Sequence, residues 1–259
     1  MLSLLHRLPD LAILAVVLCT IVLAAVYMPV LSRRLFKYDV SKERDEAAFD
    51  AFKAVMAMIG VVLAFSLVQA DANLRSIEAT VEKEANALSA TDRILLRIGR
   101  PDFAAARPIL AAYGKAITED EWPRLAKAER SAAADAAYTQ LSKTVRALGP
   151  NDARETAMYN ELLKNLDDLD EARESIVADS ELHLPDFFWV TVGGLMLIGV
   201  GLALLTDATL SRRVGLGATA GAVALLLAFV IITDVPFEGQ TSVSVHPIER
   251  ALLVNARRA

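Results

Sequence analysis

Residues 54–101 read AVMAMIGVVLAFSLVQADANLRSIEATVEKEANALSATDRILLRIGRP. The stretch 54–70 carries no charge, whereas the next residue is Asp71 and charges then recur throughout. From Leu74 the apolar residues fall at three- and four-residue spacing: Leu74, Ile77, Val81, Leu88, Leu95 and Ile98, with Glu84 and Thr91 on the same seam. That spacing marks one face of an α-helix. Neither glycine nor proline separates the uncharged part from the amphipathic part. The pattern therefore predicts one helix that leaves an apolar environment and continues into a polar one. Gly99, Arg100 and Pro101 predict its end.

Three further runs are free of charge: 11–31, 187–206 and 214–233. A bilayer core about 30 Å thick needs about 20 helical residues, so all four runs are predicted membrane spans. Backbone polar groups in lipid must pair within the segment, which makes each span a helix. The high apolar fraction, 54%, and the mean hydropathy of +0.39 come from these runs. The first run is read as a retained span and not as a cleaved leader, since only Arg7 precedes Leu8, Pro9 and Asp10.

Basic residues favour the cytoplasmic side. Arg33, Arg34, Lys37, Lys42, Arg44 and Lys53 lie between the first two runs, and Arg212 and Arg213 between the last two. Both short loops are expected inside. Both termini and the long segment 71–186 are then expected outside. Arginine outnumbers lysine 19 to 8, as in GC-rich bacterial genomes, so the membrane is read as a bacterial inner membrane. The long segment holds 22 acids against 15 bases, a net charge of −7 in a chain of net −5. An acidic surface of this kind repels anions and concentrates cations.

The segment 71–186 is predicted to be helical throughout. Asp102 is positioned to cap a short helix running to about Lys115. Thr118 and Glu121 have capping-box spacing and predict a helix start there. Asn151 or Asp152 begins a last helix carrying Met158, Leu162, Leu166, Leu169 and Ile176. Phe187, Phe188 and Trp189 open the third span, where an interfacial aromatic belt belongs. The expected architecture is an all-α membrane protein: four transmembrane helices, with an extracytoplasmic antiparallel helical bundle inserted between helices two and three. Its expected segments are 1–70, 71–186, 187–234 and a tail, 235–259.

The sequence shows no enzyme signature. His6, His183 and His246 are scattered, and Cys19 is the single cysteine, so neither a metal site, a cofactor motif nor an intrachain disulfide is predicted. The acids Asp167, Asp168, Asp170, Glu171 and Glu174 share a helix without the glycine of a calcium loop, and read as a solvated face. Glu84 on the apolar seam needs a partner. Arg93, Arg97 and Arg173 are the basic candidates. Gln69 and Asp71 end the second span and Asp234 ends the fourth, so the three are expected at one membrane face as a pore mouth. Gly217 and Gly221 have the spacing that lets membrane helices pack closely.

After the fourth span the chain reads DVPFEGQTSVSVHP, residues 234–247. Pro236 stops a helix, Phe237 suits an interface, and Gly239 permits a turn with positive φ. Pro247 opens a short terminal helix through Ile248, Leu252 and Leu253.

These stretches resemble the bestrophin-like membrane proteins, a family of bacteria and plants grouped as a domain of unknown function. The resemblance rests on Glu84, Ala85, Asn86, Leu88 and Arg93; on Glu121, Trp122 and Pro123; on Pro185 and Trp189; and on Asp234, Pro236, Phe237 and Gly239. It covers about residues 54–248. Asp92 departs from the family, which has an aromatic residue before the arginine. The resemblance implies a homo-oligomeric ion channel, with the lipid bilayer and inorganic ions as partners and no nucleic acid. The alternative reading is a membrane-anchored sensor or scaffold that binds a ligand or partner through its helical segment.

Overall fold

The computed structural model describes residues 9–36, 41–237, 239 and 242–258. Expectations resting on Arg7, Lys37 and Thr241 lie outside these residues. The described chain is helical, with no strand among the described residues. In order, α1 is Asp10–Phe36, α2 Lys42–Ile98, α3 Pro101–Ala104 and α4 Arg107–Ala116. A π-helical turn, Ile117–Glu121, leads into α5, Trp122–Leu125. Then come α6 Ala132–Arg146, α7 Ala153–Asp179, α8 Asp186–Leu204, α9 Leu210–Thr233 and α10 His246–Ala256.

Helix α2 runs for 57 residues without a break, as the absence of Gly–Pro punctuation predicts. It stops at Ile98 because Gly99 takes φ +75°, the left-handed conformation that ends helices. Four helices, α1, α2, α8 and α9, are long and apolar enough to cross a membrane.

The chain forms two compact units. The apolar unit comprises Met1–Ala72 and His183–Thr241. Within it α1 lies along α9, and the glycines make the approach close. A β-carbon on Gly217 would sit 2.8 Å from Val26 Cγ2, and one on Gly221 3.3 Å from Val22 Cγ2. Gly217 and Gly221 thus pack α9 against α1 of the same chain. Phe52, Met56, Ile59 and Leu63 of α2 meet Leu216, Ala220, Val223 and Val230 of α9 in one core, with Val192 and Ala203 of α8. The outward faces stay apolar: Leu11, Phe65, Phe187 and Leu197 are 73–78% exposed. Such surface is stable against lipid or another apolar partner and unfavourable in water.

The second, polar unit comprises Asn73–Leu182 and Ser242–Ala259. Its core includes Leu88, Leu95, Phe103, Leu110, Leu141 and Leu162, all at most 2% exposed. Each such side chain contributes roughly 1.5–3 kcal/mol by leaving water. Phe103 meets Tyr159 edge-on at 6.3 Å, and Tyr113 lies 5.9 Å from Tyr138.

Two capping expectations differ from the structure. Thr118 and Glu121 do not cap a helix. They fall in the π turn, and Ser131 caps the following helix by accepting the Ala134 N–H at 3.0 Å. Glu121 is drawn inward instead. Asp102 does not cap a helix reaching Lys115: Arg100 takes the N-cap position of α3, which ends at Ala104 before α4 begins. Asp152 does cap α7, accepting the Glu155 N–H at 2.7 Å. The terminal helix forms as Pro247 predicts, one residue earlier, and packs on α4.

Candidate functional site

The buried polar groups of the polar unit converge between α2, α4, the π turn, α6 and α7. Glu84 comes from the seam of α2 and is 1% exposed. Its hydrogen-bond partner is none of the arginines anticipated, although the Arg173 charge acts on it. Tyr113 of α4 donates its hydroxyl to Glu84 Oε1 at 2.7 Å. Burial pushes the Glu84 carboxyl up to about 7; the Tyr113 hydrogen bond and the Arg173 charge oppose this, and the Glu121 charge adds to it. The same burial, reinforced by the Glu84 charge, raises the Tyr113 hydroxyl well above its usual value. Near neutrality Tyr113 is therefore a fixed donor, and Glu84 is poised between two protonation states.

Arg173 of α7 is the counter-charge of Glu121. Its Nε and Nη2 donate to the two carboxylate oxygens at 2.9 and 2.6 Å, a bidentate pair. Both side chains are at most 3% exposed, and Asp135 adds a third contact at 2.8 Å. The π turn places Glu121 here, between buried Ile117 and half-buried Trp122. Pro123 then lies in the first turn of α5 and is exposed. Tyr113 and Arg173 complete these pairs; Arg173 is a candidate partner of Glu84 in the sequence and pairs with Glu121 instead, whereas Tyr113 has no local motif to single it out.

Asn86 and Arg93 are exposed on α2 and line one shallow groove with Asn165 and Asp168 of α7. They do not reach the buried cluster.

In the apolar unit, Asp234 ends α9. Its Oδ1 accepts the Leu184 N–H at 2.8 Å, just before Pro185, the N-cap of α8. Its carbonyl lies 3.4 Å from His183 Nδ1. The carboxylate thus ties the end of one apolar helix to the entry of the next. Gln69 and Asp71 are exposed on α2. Trp189 is half-buried and meets Phe188 edge-on at 5.1 Å. Pro236 is buried, Phe237 half-buried, and Gly239 takes φ +86°.

A polar cluster that the sequence showed only as loop charges forms at the first turn of α2. Asp45, 7% exposed, accepts the Asp207 N–H at 2.7 Å and Arg212 Nε at 2.8 Å. The Arg212 guanidinium stacks 4.5 Å from the Phe49 ring centre, and Arg33 pairs with Asp207. Residues read as topology markers thus also fasten α1, α2 and the α8–α9 loop together. Among the described residues no group of His, Cys, Asp and Glu has the arrangement of a metal site.

Several solved structures share this fold. A crystal structure of a bestrophin homologue from Klebsiella pneumoniae aligns with TM-score 0.67 at 13% identity, over 94% of this chain and 98% of its own. A point variant of a Klebsiella pneumoniae bestrophin homologue gives 0.63 at 14% identity, over 91% and 99%. A crystal structure described as a membrane protein variant gives 0.68 at 12%, over 92% and 98%. No functionally curated protein matches the sequence. Residues 11–248, nearly the whole chain, match the bestrophin-like domain. The chain belongs to the bestrophin-like family.

Proposed function

We propose that this chain is one subunit of a homo-oligomeric ion channel of the bacterial inner membrane. The observation that carries the reading is the bestrophin-like fold over almost the whole chain, joined to apolar helices whose outward faces are left bare. The resemblance to bestrophins implies a channel, and a bundle with bare apolar faces suits lipid on one side and further copies on another. In this reading both termini and the segment 71–186 face outward, and its acidic surface favours cations. Gln69, Asp71 and Asp234 form the mouth.

The test is ion flux in liposomes under defined gradients, with wild type, Asp71→Asn and Asp234→Asn. Asparagine keeps an oxygen for the Leu184 N–H, so the second variant removes the charge while preserving that hydrogen bond. Losing one charge at the mouth is expected to lower the cation-to-anion permeability ratio about sevenfold, since a local potential change of about one kT lowers cation occupancy and raises anion occupancy by about threefold each. Normal flux with unchanged selectivity removes these acids from the mouth. Absence of flux from a folded, oriented preparation turns the reading to the sensor or scaffold.

A further inference from the structure

Within the polar unit, helix α10 packs closely on α4. A β-carbon on Gly114 of α4 would lie 2.5 Å from Leu252 Cδ2, so the missing side chain is what lets α10 seat there. Arg107 fastens the same helix by donating Nη2 to the Asn255 carbonyl at 3.1 Å. Beside this contact lies a cavity of about 360 Å³ between α2, α4 and α10. Its volume is within the usual range of small-molecule sites, roughly 300–1,000 Å³.

The lining has two kinds of wall. Leu88, Leu110, Pro108 and Leu252 make an apolar wall. Asp92, Arg107 and Lys115 supply charge at the other. Arg107 Nε already donates to Asp92 Oδ1 at 2.7 Å. Asp92 Oδ2 has no hydrogen-bond partner among the described residues, although the side chain is only 3% exposed. Arg258 Nη1 approaches it to 3.9 Å. A buried acceptor without a donor costs about 1–3 kcal/mol. Arg107 and Lys115 thus line the cavity with Asp92, and Arg258, just past the lining residues of α10, adds a third cation beside the one anion.

We infer that this cavity binds a small carboxylic acid with an apolar body and a hydroxyl or amide N–H beside the carboxylate. The apolar body rests on the leucines. The carboxylate answers the charges of Lys115 and Arg258, which exceed what the single Asp92 carboxylate, already paired with Arg107, can balance. The neighbouring donor reaches Asp92 Oδ2 once the Arg258 side chain turns from it toward the carboxylate. An amine of the same size meets three cations and is rejected. This site is independent of ion conduction, so its failure leaves the channel proposal intact.

The experiment is calorimetric titration of the full-length protein in detergent with three matched probes: 3-phenyllactate, 3-phenylpropanoate and 2-phenylethylamine. The hydroxy acid is expected to bind about tenfold more tightly than the acid lacking the hydroxyl, the equivalent of one hydrogen bond of about 1.4 kcal/mol. The amine is expected to show no binding at the same concentrations. Ala111→Trp fills the cavity mouth from an exposed position and is expected to abolish binding of both acids. Asp92→Asn is expected to erase the preference for the hydroxyl. Binding that survives Ala111→Trp, an amine that binds as well as the acids, or no binding of any probe overturns the proposal.

Discussion

Arg173→Leu is expected to destabilise the polar unit by roughly 3–5 kcal/mol, the usual cost of breaking a buried ion pair from one side. The loss arises less from the missing attraction than from what remains. Glu121 stays where the π turn holds it, 2% exposed, with the Ser131 N–H at 3.4 Å as its remaining hydrogen-bond donor. Asp135, by contrast, is 46% exposed at its side chain and can return to water. The double variant Glu121→Leu/Arg173→Leu removes both buried charges and is expected to recover most of the loss, since an apolar pair of similar volume is often neutral. Thermal unfolding followed by tryptophan emission reads this directly, because Trp122 is adjacent to Glu121. A single variant as stable as wild type would show that the pair contributes nothing to the fold.

The second large effect depends on pH. Glu84 ionises at about 7 in the folded chain and at an ordinary 4.5 when unfolded. Between these values the folded state holds a proton that the unfolded state has released. Stability therefore falls as pH rises from about 4.5 to about 7, and levels off above. The full difference is about 3 kcal/mol, at about 1.4 kcal/mol for each unit. The groups facing Glu84 are Tyr113, Glu121 and Arg173; the Tyr113 hydroxyl and the Arg173 guanidinium are both raised from their usual values and keep their charge states in this window. Glu84→Gln keeps an acceptor for the Tyr113 hydroxyl and cannot ionise. It is expected to match wild type near pH 4.5 and to exceed it by several degrees in melting temperature at pH 8. Equal pH dependence in the two proteins would place the proton elsewhere.

Much of this architecture is legible in residues 54–101 alone. An uncharged run that meets an amphipathic run without a breaker has one solution, and α2 adopts it. Local signals of that kind also gave Gly99, Asp152 and Gly239 correctly, because each acts on its own neighbours. The sequence misleads where a residue has both a local and a distant use. Thr118 and Glu121 have the spacing of a capping box, but Arg173 lies fifty-two residues on and captures the carboxylate. The seam position of Glu84 announced a buried acid. It did not name Tyr113, because a tyrosine at a helical core position looks like any other aromatic. Asp45 and Arg212 are separated by 167 positions, so their pairing exists only once the helices have assembled.

Gly239 carries a consequence for mutational tolerance. Its φ of +86° excludes most side chains on backbone grounds. The Asp10 carboxylate oxygen lies 3.0 Å from the place a β-carbon would take, so a residue that accepts the backbone must also push that side chain aside by a few tenths of an ångström. Gly149 has open space around it and an ordinary φ. One glycine is replaceable and the other is not. In a saturation library the turn after α9 would stand out as a position where only the wild-type codon survives, though it touches neither buried cluster nor cavity.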